Sequence, residues 1–130
     1  MKSIFVVVLL AAFAASSVLA GLTAEQAMEY MTGCKKDLNI SDADLAQLGE
    51  AKTFDEVNEN SKCFFNCFQT REGTLIDGVL QEDKVIELFE SSVGEKRARE
   101  VFEICRKQKG AEKCETAFLL QNCYRENGIF

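Results

Sequence analysis

The sequence predicts an all-α domain, a compact bundle of about six helices, and three observations predict it. Helix-capping residues and apolar residues at helical spacing recur along the chain. Six cysteines follow an apolar N-terminal leader, with gaps of 28, 3, 37, 8 and 8 residues between them. Strand-like alternation of apolar and polar residues is absent. Together these features indicate helices joined by short loops and cross-linked by disulfides.

The N-terminal leader has the layout of a secretory signal peptide. After a short basic start, an apolar run extends from Ile4 to Ala15, and small residues then lead to a cleavage site after Ala20. The run is shorter than the roughly 20 residues that a membrane span requires. The predicted organisation is therefore a signal peptide at 1–20 and one helical domain at 21–130, in a secreted, extracellular protein without membrane insertion.

Each helix is predicted from its capping residues and its apolar face. A capping box formed by Thr23 and Gln26 starts the first helix, and apolar residues at i, i+3, i+4 and i+7 define the fifth. The first predicted helix runs from Thr23 to about Asp37, and the second runs from Ser41 past Leu48. The third starts at Asn58 or Asn60, runs through Cys63 and Phe68, and ends before Gly73. The fourth runs from near Gln81 past Phe89, the fifth from Ala98 to its end at Gly110, and the sixth from Glu112 to Tyr124. The segment 76–79 is predicted as a turn between the third and fourth helices.

The cysteine spacing restricts the pairing without deciding it. Six cysteines allow fifteen pairings. Cys63 and Cys67 are four residues apart, so their β-carbons should lie about 5–6 Å apart, farther than a disulfide permits. Cys114 and Cys123 are nine residues apart and therefore face opposite sides of one helix. Excluding these two pairs leaves ten pairings, in every one of which the last helix carries two cross-links, one on each of its sides.

Composition excludes several classes of function. The net charge of −6 makes nucleic acid or anionic lipid an unfavourable partner. The chain has no His, so it lacks the commonest general base and metal ligand. Paired cysteines would not form a thiolate zinc site. We therefore predict a protein that is not an enzyme and has no catalytic residue, no metal site and no cofactor.

The aromatic content suggests an internal cavity. The chain has 10 Phe, 2 Tyr and no Trp. On the predicted third helix, a different face from the one that carries the cysteines holds Phe64, Phe65 and Phe68. Such a stripe is most often ordinary core. However, disulfides can hold a helix bundle together without a fully packed centre, so aromatic residues here also fit the wall of a cavity.

The cysteine pattern resembles that of the insect odorant-binding protein family, the pheromone-binding and general odorant-binding superfamily. The three-residue and eight-residue gaps carry this resemblance. It is strengthened by three segments that are similar to those of short fly members: 62–68 (KCFFNCF), the Asp77-Gly78 turn, and 109–114 (KGAEKC). The resemblance extends over the whole chain after the leader.

The resemblance implies six helices around an apolar cavity and the disulfides Cys34–Cys67, Cys63–Cys114 and Cys105–Cys123. It also implies cavity-lining positions, of which about half should touch ligand and the rest should pack against one another. These positions are Phe64, Phe65, Phe68, Leu75, Ile76, Val85, Leu88, Phe89, Phe102 and Phe118. The hydroxyl groups of Thr70 and Tyr124 are candidates to meet the polar end of a ligand.

The C-terminal tail has two interpretations. Some moth members of the family release ligand through His protonation and a long C-terminal helix, which this chain, with no His and seven residues after Cys123, does not share. Ile129 and Phe130 either close the cavity mouth or form a frayed end. Separately, Asn39-Ile40-Ser41 is an N-glycosylation sequon, although Ser41 acting as a helix cap explains the segment equally well.

The predicted function is non-catalytic carriage of small hydrophobic molecules, odorants or pheromones, in extracellular fluid such as sensillum lymph. An olfactory receptor is a further candidate partner, and the carrier would be a monomer or a weak dimer. One alternative is a carrier of lipid-like or pheromonal ligands outside olfaction. A second alternative is a secreted effector that binds proteins, which would have a filled core and an exposed apolar patch.

Overall fold

The computed structural model describes residues 22–129. The predicted signal peptide at 1–20 and the predicted role of Phe130 lie outside the described residues. The elements in chain order are α1 (Ala24–Leu38), α2 (Asp42–Glu50), two 3-10 turns (Phe54–Glu56 and Glu59–Ser61), α3 (Phe64–Glu72), β1 (Leu75–Ile76), β2 (Val79–Leu80), α4 (Glu82–Val93), α5 (Glu95–Cys105) and α6 (Lys113–Glu126). The predicted all-α bundle of six helices is confirmed.

The first two helices begin at the capping residues that the sequence predicts. The Thr23 side chain accepts a hydrogen bond from the Gln26 amide, and Gln26 Oε1 accepts one from the Thr23 amide. Ser41 and Asp44 form the same reciprocal pair at the start of α2. Asn39 ends α1 in the left-handed conformation, with φ of 54°. Asn39 and Ser41 of the glycosylation sequon therefore both have structural roles.

Three details differ from the predictions. The third helix begins at Phe64 rather than near Asn58, because a 3-10 turn fills the preceding segment and Cys63 is the N-cap residue. The fifth helix ends at Cys105, five residues before Gly110. Strands are not absent: β1 and β2 form a minimal antiparallel hairpin. Its two turn residues, Asp77 and Gly78, have φ of 50° and 78°, as a type I′ turn requires.

Three disulfides connect the helices in the pairing that the family resemblance implies. Cys34–Cys67 joins α1 to α3, Cys63–Cys114 joins the start of α3 to α6, and Cys105–Cys123 joins α5 to α6. All six cysteines of the sequence lie within residues 22–129, and these three disulfides pair them all. The last helix is thus linked on two sides, as its cysteine phase predicts.

Two clusters of buried side chains form the core. The first is built from α4, α5, α6 and the tail, and includes Val85, Phe89 and Tyr124. The second is built from α1, α2 and α3, with Phe118 of α6. Phe65 packs against both clusters. Within residues 22–129, no helix combines the length and apolar character needed to cross a membrane.

Candidate ligand cavity

The aromatic wall of the site comes from α3. Phe64, Phe65 and Phe68 follow Cys63 at helical spacing, and the disulfides of Cys63 and Cys67 fix this helix against α6 and α1. The Phe64 ring lies 5.6 Å from the Phe65 ring and 6.4 Å from the Phe68 ring, between centroids. Phe64 is 3% exposed, whereas Phe65 and Phe68 are half-buried. The two half-buried rings are therefore available to an adjoining space.

The opposite wall comes from α4 and from the tail. Leu88 and Phe89 project from α4, and Ile129 returns to the core after α6. The amide of Ile129 donates to the Tyr124 carbonyl oxygen at 3.0 Å, and Arg97 Nη2 donates to the Asn127 carbonyl oxygen at 3.1 Å. These bonds hold the described part of the tail against the bundle.

A cavity of about 420 Å³ lies between these walls, where the two core clusters meet. Its volume falls in the range of small-molecule sites. Most of the residues around it are apolar. The lining residues are Leu22, Ala27, Met31, Phe64, Phe65, Phe68, Glu72, Leu88, Phe89, Ser91, Ser92, Gln121 and Ile129.

The polar lining residues divide between the mouth and the interior. Ser91 and Ser92, at the end of α4, are exposed and so mark the mouth. Gln121 is less exposed than these two serines, and its Oε1 accepts a hydrogen bond from Gln69 Nε2 at 3.2 Å. Gln69 is 1% exposed and also donates to the Ala117 carbonyl oxygen. This arrangement fixes the orientation of the Gln121 amide at the cavity wall.

Glu72 is the titratable residue among those lining residues. Burial raises the pKa of its carboxyl group to about 7, against an opposing hydrogen bond from Thr74 Oγ1. That bond, from Thr74 Oγ1 to Glu72 Oε1, is 2.9 Å long. A carboxyl group that loses water as it enters a cavity wall favours its neutral form. Glu72 therefore gives an otherwise uncharged wall a group whose pKa of about 7 lies near neutral pH.

Tyr124 lies behind the cavity wall and is 2% exposed. Its ring packs on Phe89, and its hydroxyl is buried with no hydrogen-bond partner among the described residues. Burial, and secondarily the charge of Glu72, raise the pKa of this hydroxyl. Thr70 is exposed, and its hydroxyl donates to the Leu75 carbonyl oxygen at 3.0 Å. Neither residue lines the cavity as it stands.

Five of the positions implied by the family resemblance line the cavity: Phe64, Phe65, Phe68, Leu88 and Phe89. The structure places the others elsewhere. Leu75, Val85, Phe102 and Phe118 are fully packed in the core, and Ile76 is 42% exposed on the hairpin. Whether any of these residues contacts ligand stays a prediction.

The sequence reasoning missed one whole wall of the cavity. Leu22, Ala27 and Met31 bring the α1 side to the site, yet nothing in their residue types distinguishes them from ordinary core. Glu72 was also missed because a charged residue at a helix end normally faces solvent. The signal that could have found it is its position, four residues after Phe68 on the same helix face. Within residues 22–129, no group of three or more potential ligands could hold a metal ion.

Comparisons with known proteins agree with this architecture. A model of the PBP/GOBP family matches residues 21–127. General odorant-binding protein 56a of Drosophila melanogaster is 36% identical over 129 residues, which cover 95% of this chain and 92% of that protein. Odorant-binding protein 10 of Aedes aegypti is 26% identical over 99 residues, 75% of this chain and 70% of that protein.

Solved structures of similar fold come from three insects. The structure of a fatty acid binding protein, OBP56a from the oral disk of the blowfly Phormia regina, has a TM-score of 0.67 and 30% identity. It is matched over 82% of this chain and 94% of that one. An odorant-binding protein of Drosophila melanogaster, OBP28a, and one of Locusta migratoria share the fold, with TM-scores of 0.61 and 0.63 at 24% and 23% identity. They cover 78% and 85% of this chain, and 88% and 84% of their own.

Proposed function

Since the chain belongs to the PBP/GOBP family, we propose that it is a secreted, non-catalytic carrier of small hydrophobic molecules, odorants or pheromones, in extracellular fluid. The observation that carries this proposal is the cavity of about 420 Å³ with Phe65, Phe68 and Phe89 in its walls. Burial of apolar ligand surface, at about 25 cal/mol per Å², is the source of affinity. We expect a dissociation constant in the micromolar range, which corresponds to a binding free energy of about −8 kcal/mol.

Several features support a carrier rather than an enzyme. Glu72 is the titratable group among the described lining residues, so the cavity lacks the acid–base pair with separated pKa values that marks many active sites. The chain has no His that could act as a general base. Three disulfides are typical of the oxidising extracellular environment, which fits secretion after removal of residues 1–20.

The fluid in which the carrier works has two candidates. Sensillum lymph, with delivery of ligand to an olfactory receptor, fits the name of the Drosophila relative. Carriage of lipid-like ligands outside olfaction fits the blowfly relative, which is a fatty acid binding protein of the oral disk. In both settings the carrier acts as a monomer or a weak dimer. Localising the protein by antibody in sensilla and in mouthparts distinguishes the two.

Ligand binding is tested by titrating the oxidised protein with N-phenyl-1-naphthylamine, a neutral apolar fluorophore, and displacing it with volatile alcohols, esters and fatty acids. We expect saturable binding of one probe per protein. Ala27→Phe, which fills the cavity from α1, should weaken it at least tenfold. Ala24→Phe adds the same ring at an exposed position of α1 and should leave binding unchanged. Absence of probe binding, or equal effects of the two variants, would contradict the proposal and favour an effector with a filled core.

A further inference from the structure

The described walls of the cavity supply no cation to balance the charge of Glu72. The described lining residues include no Lys and no Arg, and the other polar groups are the neutral side chains of Ser91, Ser92 and Gln121. In a cavity with apolar walls, a charge is screened far less than in water. The headgroup of a bound amphiphile therefore meets a carboxyl group with no compensating positive charge beside it.

Basic side chains on the surrounding elements contact other groups, and the causes that set the pKa of Glu72 are burial and the Thr74 hydrogen bond. Arg71, next to Glu72 on α3, forms an ion pair with Asp37 of α1. On α4, Lys84 lies beside Gly73 and its Nζ is 4.0 Å from Glu87 Oε2.

Basic side chains of α5 and α6 also contact other groups. On α5, Arg97 contacts Glu100 and the tail carbonyl of Asn127. On α6, Arg125 donates to the Gly49 carbonyl oxygen. On the same helix, Tyr124 feels the charge of Glu72, which contributes to the raised pKa of its hydroxyl, and its neutral phenol supplies no positive charge. No described cation thus faces the Glu72 carboxyl group from these helices.

This arrangement favours the binding of some ligand headgroups over others. A hydroxyl, an ammonium or a protonated acid can donate a hydrogen bond to a Glu72 oxygen. An ionised carboxylate cannot donate, and two carboxyl groups in one poorly solvated site do not both ionise. An anionic ligand therefore binds only when Glu72 takes up, or keeps, a proton.

We propose that Glu72 makes the cavity selective for apolar chains whose polar end donates a hydrogen bond, and against chains that end in an ionised carboxylate. The inference rests on the proposed carrier function, since it concerns the same cavity. It narrows the ligand class to long-chain alcohols, amines and protonated fatty acids, and it makes capture of a fatty acid dependent on pH.

The size of the effect follows from the titration of Glu72. With its pKa at about 7, the neutral fraction of the carboxyl group falls about tenfold between pH 6 and pH 8. Binding of a carboxylate should weaken by that factor through Glu72 alone. Binding of an alcohol, which accepts or donates a hydrogen bond, should change less than threefold.

The test uses three ligands with the same ten-carbon chain: 1-decanol, decylammonium and decanoate. Each displaces N-phenyl-1-naphthylamine from the wild-type protein and from Glu72→Gln at pH 6 and pH 8. Ionisation of decanoic acid itself is common to both proteins, so comparing them isolates Glu72. The Gln side chain keeps the acceptor for Thr74 Oγ1, and Glu90→Gln, an exposed site on α4, is the matched control.

For each protein, the dissociation constant of decanoate is divided by that of decanol at each pH. Between pH 6 and pH 8 we expect this ratio to rise about tenfold more in the wild type and in Glu90→Gln than in Glu72→Gln. Equal rises in all three proteins, or decanoate binding the wild type as tightly as decanol at pH 8, would overturn the inference while leaving the carrier function intact. Failure of the wild type to bind the probe at either pH would instead overturn the proposed function, and the inference with it.

Discussion

The ring of Phe89 stands edge-on to the ring of Tyr124, with 4.7 Å between the centroids and 76° between the planes. Phe89 faces the cavity, and Tyr124 supports it from behind with a hydroxyl that has no described partner. This pair joins the ligand site to α6 and to the tail, since the Tyr124 carbonyl oxygen accepts the Ile129 amide.

Tyr124→Phe should not destabilise the protein. A buried hydroxyl without a partner carries a desolvation cost, so removing it is expected to raise the free energy of unfolding by up to about 1 kcal/mol. Urea denaturation at pH 7 measures the change. Tyr30→Phe, at the other tyrosine, should have an effect close to zero. A loss of more than about 1 kcal/mol in Tyr124→Phe would show that the hydroxyl has a bonding partner.

Glu72→Gln should make stability less dependent on pH. The folded-state pKa of about 7 exceeds the ordinary value of 4.5, so between these pH values the folded protein keeps a proton that the unfolded chain releases. Stability contributed by this group is therefore present below about pH 4.5 and is lost as pH rises through 7. The loss has an upper limit of about 3 kcal/mol.

The measurement is the midpoint of urea unfolding at pH 5 and pH 8. At pH 8 the urea midpoint of Glu72→Gln should be higher than that of the wild type. At pH 5 the difference between the two midpoints should be smaller. Glu90→Gln is again the control. A variant that follows the wild type at both pH values would show that Glu72 is well solvated.

Gly33→Ala should stabilise the protein only when the Arg71 side chain is also truncated. A β-carbon at position 33 would overlap Arg71 Nη1, so the guanidinium must move, which disturbs its ion pair with Asp37. Alanine improves helix propensity by about 1 kcal/mol, and an exposed ion pair contributes about 0–1 kcal/mol. The two effects nearly cancel in the wild-type background.

In an Arg71→Ala background, Gly33→Ala should stabilise α1 by about 1 kcal/mol, because nothing then opposes the new methyl group. A double-mutant cycle from urea unfolding gives the coupling between the two sites. Equal effects in both backgrounds would mean that Arg71 does not lie over Gly33.

The parts of the fold that were predictable from sequence depend on local chemistry. Thr23 and Ser41 each begin a helix because a polar side chain three residues later completes the capping box. The cysteine spacing, likewise visible in the sequence, indicates the family. The 3-10 turn before Cys63 was not predictable from local chemistry. Its residues are compatible with an α-helix, and nothing in their types separates the 3-10 turn at Glu59–Ser61 from the first turn of α3.

The cavity was only partly predictable, because lining a cavity depends on which side of a helix is left unfilled. Phe118 and Phe89 have the same residue type and are both buried. Phe118 packs against Phe54 and Phe65, with ring centroids 5.6 Å and 6.3 Å away, whereas Phe89 packs on Tyr124 and also lines the cavity. Sequence periodicity predicts which side of a helix is buried, but it does not predict where two core clusters leave a cavity between them.

Shortening Ile129 should speed ligand release. This side chain lines the cavity and is held there by the Ile129–Tyr124 backbone hydrogen bond. We expect Ile129→Ala to raise the dissociation rate of N-phenyl-1-naphthylamine about threefold to tenfold in stopped-flow displacement. Ile104→Ala, at a 48% exposed isoleucine of α5, is the control. An unchanged rate in Ile129→Ala would show that the tail does not close the cavity.

The most direct test of the carrier function places a reporter on the cavity wall. Because the chain has no Trp, Phe68→Trp creates a single tryptophan facing the cavity, and Phe54→Trp creates one in the second core cluster, outside the cavity. The fluorescence of each variant is measured while a ten-carbon alcohol with bromine on its chain is added. Ligand carriage in this cavity predicts strong, saturable quenching at position 68 and little at position 54. Equal quenching at both positions, or none at position 68, would contradict it.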